Sequence, residues 1–286
     1  MLFRNKIHFV LQKEAFGSRH FCQTISNNVV TKCRHQVSTH RVFEEKFDYI
    51  CGLIRRRDFL VREKWSHKMK IKEALFAGSS TRVSERPKQR FPEFAFIGRS
   101  NVGKSSLINM LTANRKLAMT SAKPGKTRLV NHFLINRSWY LVDLPGYGYA
   151  KASASERQKI QQVINNYINL SPDMVNLFVL IDSRHDIGKI DLDFLMELGE
   201  RRIPFAIIFT KGDKQGVNVL AAQIEKDKKQ LLEFWEELPP CFVSSSETGA
   251  GREEILDYIG SVLDSLGKDD DDTPQNTDVK SAEKEE

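Results

Sequence analysis

The chain has 286 residues, with 44 Lys and Arg against 37 Asp and Glu and a formal net charge of +7. That length suffices for one large core or two small ones, and no apolar run approaches the roughly 18 residues that span a bilayer, so membrane insertion is not expected. Four cysteines without a C-x-x-C spacing indicate neither a zinc site nor a disulfide framework, and Cys241 reads as a small buried hydrophobe.

The charge is unevenly spread. Residues 1–68 hold fourteen Lys and Arg against six acids, residues 267–286 hold eight acids against three bases, and the stretch between nets about +4. The high pI therefore belongs to the N-terminal extension, and the mildly basic middle is compatible with an RNA-rich partner. Two readings of residues 1–68 stand. The extension is poor in acids up to Phe43, as an organellar targeting segment would be. Acids then return at Glu44, Glu45, Asp48, Asp58 and Glu63, and Arg55-Arg56-Arg57 is unlike a cleavable end, which favours a leader or over-extended start before Met69.

In chain order, residues 69–92 are a lead-in and 93–266 alternate strand and helix. The apolar run Phe94-Ala95-Phe96-Ile97 enters Gly98-Arg99-Ser100-Asn101-Val102-Gly103-Lys104-Ser105, and Ser106 to Leu111 opens a helix. Strand, glycine-rich loop and helix are the context that makes G-x-x-x-x-G-K-[ST] a phosphate cradle. Backbone N–H groups turn inward at a helix N-terminus, Lys104 reaches the β- and γ-phosphates, and the Ser105 hydroxyl can ligate Mg²⁺. In Lys123-Pro124-Gly125-Lys126-Thr127-Arg128, Thr127 is the candidate to complete the Mg²⁺ shell; Lys126 and Arg128 are either phosphate clamps or solvated charges.

Leu129 to Ile135 and Ser138 to Val142 flank Asn136-Arg137 as a β-hairpin. Asp143-Leu144-Pro145-Gly146 follows, with an acid that can hold Mg²⁺ through water and a Gly146 N–H for the γ-phosphate. Ser155 and Gln158 have the spacing of a capping box before Ile160, Val163, Ile164, Tyr167 and Ile168. Val175 to Ile181 and Phe205 to Phe209 are near-continuous apolar runs, as in strands buried on both faces of a parallel sheet. Thr210-Lys211-Gly212-Asp213 ends the second run, placing Asp213 to accept both guanine N1 and N2 protons while the stem of Lys211 lies along the base. A helix over about 218–237 follows. Val243-Ser244-Ser245 ends another strand, either offering backbone N–H groups to guanine O6 or forming a plain Ser-rich turn. Ile255, Ile259, Val262 and Leu266 lie on a last helix that Gly267 is placed to end, and the acidic tail 267–286 is expected to be disordered. The pattern predicts an α/β doubly wound sheet with one antiparallel hairpin strand.

The segments Phe91 to Ser106, Thr120 to Thr127, Asn131-His132-Phe133 and Trp139 to Ala150 together resemble the EngB (YihA/YsxC) family of bacterial GTPases, over about Met69 to Leu266. The resemblance implies a three-layer Ras-like P-loop GTPase fold with GTP/GDP and Mg²⁺ as ligands. It also implies a role in large ribosomal subunit assembly through that subunit or its rRNA, and the family's part in cell division and septation. A cytoplasmic monomer is the expected form; mitochondrion or plastid is the alternative if residues 1–68 target an organelle. Gly212 stands where the family more often has alanine.

Position 147 is Tyr, where Ras-type enzymes place a water-orienting Gln, so slow turnover needing a further group is expected. Asn101 is either a ligand for a hydrolysis-stimulating potassium ion, as in related GTPases, or a residue that shapes the loop. His132 reads as a packed strand residue rather than a base. Two rivals remain: an ATP-using P-loop kinase, which Thr210-Lys211-Gly212-Asp213 argues against, and an RNA-interacting module that binds nucleotide with little turnover.

Overall fold

Five of the six residues in Glu93–Gly98 are apolar or glycine, and all six are buried, so this segment has protein on both faces and both edges. It is the middle strand of the sheet in the computed structural model, which describes residues 68–119, 129–148 and 153–268. The elements in chain order are β1 (Ala74–Ser80), β2 (Glu93–Gly98), α1 (Lys104–Leu111), β3 (Val130–Ile135), β4 (Trp139–Asp143), α2 (Ala154–Leu170) and β5 (Met174–Asp182). There follow α3 (Lys189–Glu200), β6 (Phe205–Thr210), α4 (Val217–Leu231), β7 (Cys241–Val243) and α5 (Arg252–Lys268). The sheet order is β1-β3-β4-β2-β5-β6-β7, and β3 alone runs against its neighbours β1 and β4. This is the predicted doubly wound sheet with one antiparallel strand.

Alternation along the central strands makes two cores. Phe94, Phe96, Phe178, Leu180 and Ile208 face α1 and α5, while Ala95, Ile97, Leu177, Val179 and Phe209 face α2, α3 and α4. Three layers result. Phe178 is fully buried, with ring centroids 4.7 Å from Phe96 and 5.8 Å from Tyr258. From β2 the chain crosses outward to β3, folds back as β4 beside β2, and later continues on the other side as β5, so a crevice opens at the carboxyl end of β2.

The structure differs from the sequence expectations at several element ends. The lead-in contains a strand: β1 pairs with β3 although Leu75 and Phe76 are exposed and show no clean alternation. Asn136 fixes it there. Its side-chain oxygen accepts the N–H groups of Lys72 (2.8 Å) and Glu73 (3.2 Å), and its amide donates to the Lys70 carbonyl (2.8 Å). Asn136 and Arg137 both have positive φ, the conformation a tight hairpin turn requires. Helix α2 starts earlier than Ser155: the cap is Ser153, bonded reciprocally with Glu156, because that acid, unlike Gln158, reaches back to the Ser153 N–H. Helix α4 stops at Leu231 instead of running to 237, and a short turn seats Trp235 on Phe205. Gly267 does not end α5, which continues to Lys268. The extension through residue 67 and the tail from residue 269 lie outside the described residues.

At the amino end of β2, away from the crevice, the buried Glu93 carboxylate accepts hydrogen bonds from Tyr167 (2.7 Å) and Ser171 (2.6 Å), with His132 Nε2 at 3.5 Å. His132 is thus packed, as expected of it. Burial pushes the Glu93 carboxyl up, but contacts with His132, Ser171 and Tyr167 outweigh it and hold the group below its ordinary value. A lowered carboxyl stabilises the fold above its unfolded value near 4.5 and loses that contribution as pH falls. Tyr167→Phe removes one donor. It is expected to cost about 1–3 kcal/mol in urea unfolding at neutral pH and to move the onset of acid unfolding to higher pH.

Candidate functional site

The phosphate loop is held by its backbone. Asn101 and Gly103 take positive φ (64° and 106°), Val102 N–H closes a turn on the Arg99 carbonyl (3.2 Å), and Leu107 N–H starts α1 on Gly103 (2.8 Å). Asn tolerates this conformation better than most residues, and the Asn101 side chain is exposed. Two side chains from the end of β6 fasten the loop. Thr210 Oγ1 donates to the Val102 carbonyl (2.7 Å), and Lys211 Nζ donates to the Asn101 carbonyl (2.7 Å).

Gly98 and Gly146 meet across the loop base. A Cβ on Gly98 would lie 2.8 Å from the Leu180 carbonyl oxygen, and one on Gly146 would lie 2.8 Å from the Gly98 carbonyl oxygen. Only glycine allows β5, the loop and the D-L-P-G turn to approach so closely. Lys104, in the first turn of α1, pairs with the buried Asp143 carboxylate at the end of β4, and Asn131 Nδ2 donates to its other oxygen (3.3 Å). Leu144 and Pro145 are buried, Leu144 in the core, and the Leu144 N–H bonds the Phe96 carbonyl (3.0 Å). Ser105 is half-buried beside Lys104, and the Ser100 hydroxyl is buried in the loop without a protein partner among the described residues. An orphaned hydroxyl in a loop of inward N–H groups fits an arriving phosphate. The Ser105 hydroxyl and Asp143 carboxylate are hard oxygen donors that suit Mg²⁺, which keeps most of its shell as water and phosphate oxygens. Among the described residues no cluster of three or more His, Cys, Asp or Glu offers a cage for a metal.

On the other side of the crevice, Ser245 Oγ donates to Asp213 Oδ1 (2.7 Å), and Lys214 lies 2.8 Å from Oδ2. Hydrogen bonds from Lys214 and then Ser245 hold the Asp213 carboxyl below its usual value, so it stays an acceptor. Two of the three backbone N–H groups considered for guanine O6 are used within the protein. Ser244 N–H is committed to the Phe209 carbonyl (2.8 Å) and Ser245 N–H to that of Ala250 (3.1 Å), because the chain must keep pairing with β6 and close the next turn. Ser246 N–H, which the sequence reading missed, takes no protein acceptor among the described residues. A Cβ on Gly212 would sit 3.1 Å from Val243 Cγ1, so the glycine is fitted to this turn. Leu129 is exposed just before β3, while Gly125, Lys126, Thr127 and Arg128 lie outside the described residues.

Asp182 was also missed. Its carboxylate accepts from Lys211 Nζ (2.8 Å), Arg184 Nε (2.9 Å) and Arg184 Nη2 (2.8 Å). Burial pushes this carboxyl up, yet the bonds from Arg184 and Lys211 hold it far below the ordinary carboxylate range. Lys211, itself at φ 62°, is therefore stretched between Asp182 and the phosphate loop. The sequence signal was an acid closing an apolar strand, as Asp143 closes β4. Asp182→Ala releases Lys211 and is expected to weaken GDP and GTP binding alike, by about tenfold, in titrations with fluorescent guanine nucleotides.

A family profile described as a 50S ribosome-binding GTPase matches residues 93–211. The probable GTP-binding protein EngB of Porphyromonas gingivalis is 58% identical over 198 residues, 69% of this chain and 98% of its own length. That of Phocaeicola vulgatus is 59% identical over 198 residues, again 69% of this chain and 99% of its own. A crystal structure of a probable GTP-binding protein EngB superposes with a TM-score of 0.50 at 24% identity, covering 60% of this chain and 98% of that one, a likeness of fold. At more than half identity over nearly the whole length of these relatives, the chain belongs to the EngB family of P-loop GTPases.

Proposed function

We propose that the protein binds GTP and GDP with Mg²⁺ in the crevice at the carboxyl end of β2, hydrolyses GTP slowly, and serves as a switch in assembly of the large ribosomal subunit. The observation that carries the nucleotide reading is the pairing of two opposed ends in one crevice. Lys104 and Asp143 stand at the phosphate cradle, and Asp213, oriented by Ser245, stands across Lys211 from it.

Asp213 accepts the guanine N1 and N2 protons through its two oxygens, while adenine presents an acceptor and no amino group there. The Lys214 contact on Oδ2 is solvent-exposed, so a base displaces it at small cost. Ser246 N–H is the backbone donor of this turn left for guanine O6. Loop N–H groups from Arg99 to Ser105, other than that of Val102, receive the phosphates, Lys104 exchanges Asp143 for the β- and γ-oxygens, and Gly146 N–H donates to the γ-phosphate. When bound, Mg²⁺ neutralises developing charge on the phosphates; Ser105, Thr127 and Asp143 are the residues that would hold it. Tyr147 is 4% exposed with its ring 4.6 Å from that of Phe194, so it presents no group to an attacking water, which supports slow hydrolysis.

The ribosomal role rests on the family profile's description and on the mild positive charge of residues 69–266. Cell division and septation enter with family membership as part of the same proposal. Among the described residues no helix is long and apolar enough to cross a membrane.

Asp213→Ala is expected to abolish the preference for GTP over ATP, a loss of at least about a hundredfold in a competition titration; an unchanged preference overturns the reading. If the Asn101 side chain ligates a monovalent cation, single-turnover hydrolysis is faster in potassium than in sodium buffer and Asn101→Ala removes the difference. Equal rates leave Asn101 with its backbone role alone.

A further inference from the structure

Behind the D-L-P-G turn, three side chains outside the hydrolysis scheme converge. The Tyr147 hydroxyl donates to Asp191 Oδ1 at 2.9 Å, and Arg99 Nη1 lies 3.7 Å from Asp191 Oδ2. Tyr147 and Asp191 are 4% and 5% exposed, whereas Arg99 reaches them from the phosphate loop with its side chain half in solvent. Asp191 stands in the first turn of α3, next to its capping residue Gly188. The backbone repeats the connection. Tyr147 N–H donates to the Gly98 carbonyl (3.2 Å), and Arg99 and Tyr147 form a parallel β-bridge. One residue back, Gly146 is pressed on Gly98 with no space for a side chain.

Packing alone does not explain this arrangement. A phenylalanine at 147 would fill the slot against Phe194 equally well, and burying a hydroxyl and a carboxylate costs desolvation that apolar residues avoid. What the polar pair adds is orientation. A ring held only by Phe194 is free to slide along it; a ring whose hydroxyl is fixed on α3 is not. Because Tyr147 directly follows Gly146, fixing one fixes the other.

We propose that Asp191 is a positioning residue for Gly146: by anchoring the Tyr147 hydroxyl and drawing in Arg99, it clamps the D-L-P-G turn against the phosphate loop where a γ-phosphate meets the Gly146 N–H. The clamp deepens the nucleotide reading given above and rests on it. GDP has no γ-phosphate, so the clamp contributes to triphosphate binding and to hydrolysis and leaves diphosphate binding unaffected.

The test uses the full chain and its Tyr147→Phe, Asp191→Ala, Asp191→Asn and Tyr147→Phe/Asp191→Ala variants. Affinities for GDP and for a non-hydrolysable GTP analogue are measured beside the rate of GTP hydrolysis. Tyr147→Phe and Asp191→Ala are each expected to weaken the analogue by about tenfold and leave GDP within about twofold. The double variant is expected to be no worse than the more affected single one, since both break one bond. Asp191→Asn, whose amide oxygen still accepts from Tyr147, recovers most of the loss. Equal weakening of GDP and analogue would reduce the cluster to a structural role and overturn the proposal, as would unchanged values in Tyr147→Phe or additive losses in the double variant. Tyr147→Phe keeps the ring and decides the matter even if Asp191→Ala fails to fold. A wild-type chain without guanine preference would instead overturn the nucleotide reading itself.

Discussion

The close approach of backbone to backbone at Gly98 is the constraint on which the crevice depends. At that residue Leu180 of β5 and Val102 of the loop leave no room for a methyl group, and Gly146 in the turn after β4 is pressed on the Gly98 carbonyl. Because Gly98 and Gly146 lack one, the strand ends crowd together and the loop that follows can curl its N–H groups toward a common centre. A side chain on Gly98 would collide with Leu180 and Val102, and one on Gly146 with the Gly98 carbonyl.

Around that contact the rim of the sheet is arranged as opposed charges from different strands. Lys104 on α1 meets Asp143 from β4, and Lys211 from β6 meets Asp182 from β5 while also holding the loop carbonyl of Asn101. These are partly or wholly buried pairs whose geometry is set by parallel strands ending at one level, so each strand contributes a group at its carboxyl end. Tyr147 and Asp191 extend the same organisation to α3.

The opposite end of the sheet is organised for stability. Glu93, Tyr167 and Ser171 form a buried, hydrogen-bonded cluster, and Asn136 sews the segment before β1 to the hairpin. The hairpin side of the sheet thereby gains an edge strand whose own sequence is too weakly patterned to form one unaided. Chemistry and stability occupy opposite ends, which leaves the crevice residues available for ligands.

The sequence by itself determined the layered α/β architecture and the place of the glycine-rich loop between β2 and α1. Those follow from strictly local features: a hydrophobic period, a glycine spacing, a motif of consecutive residues. Only the tertiary structure decided which backbone N–H groups of the turn from Ser244 to Ser246 remain open to a ligand, that Asp182 holds Lys211, and that Tyr147 turns its hydroxyl to Asp191. Each of these joins residues 29 to 44 positions apart or depends on a neighbouring strand using up a donor. No local pattern encodes such a meeting, because it is set by where the strands end once the sheet has formed.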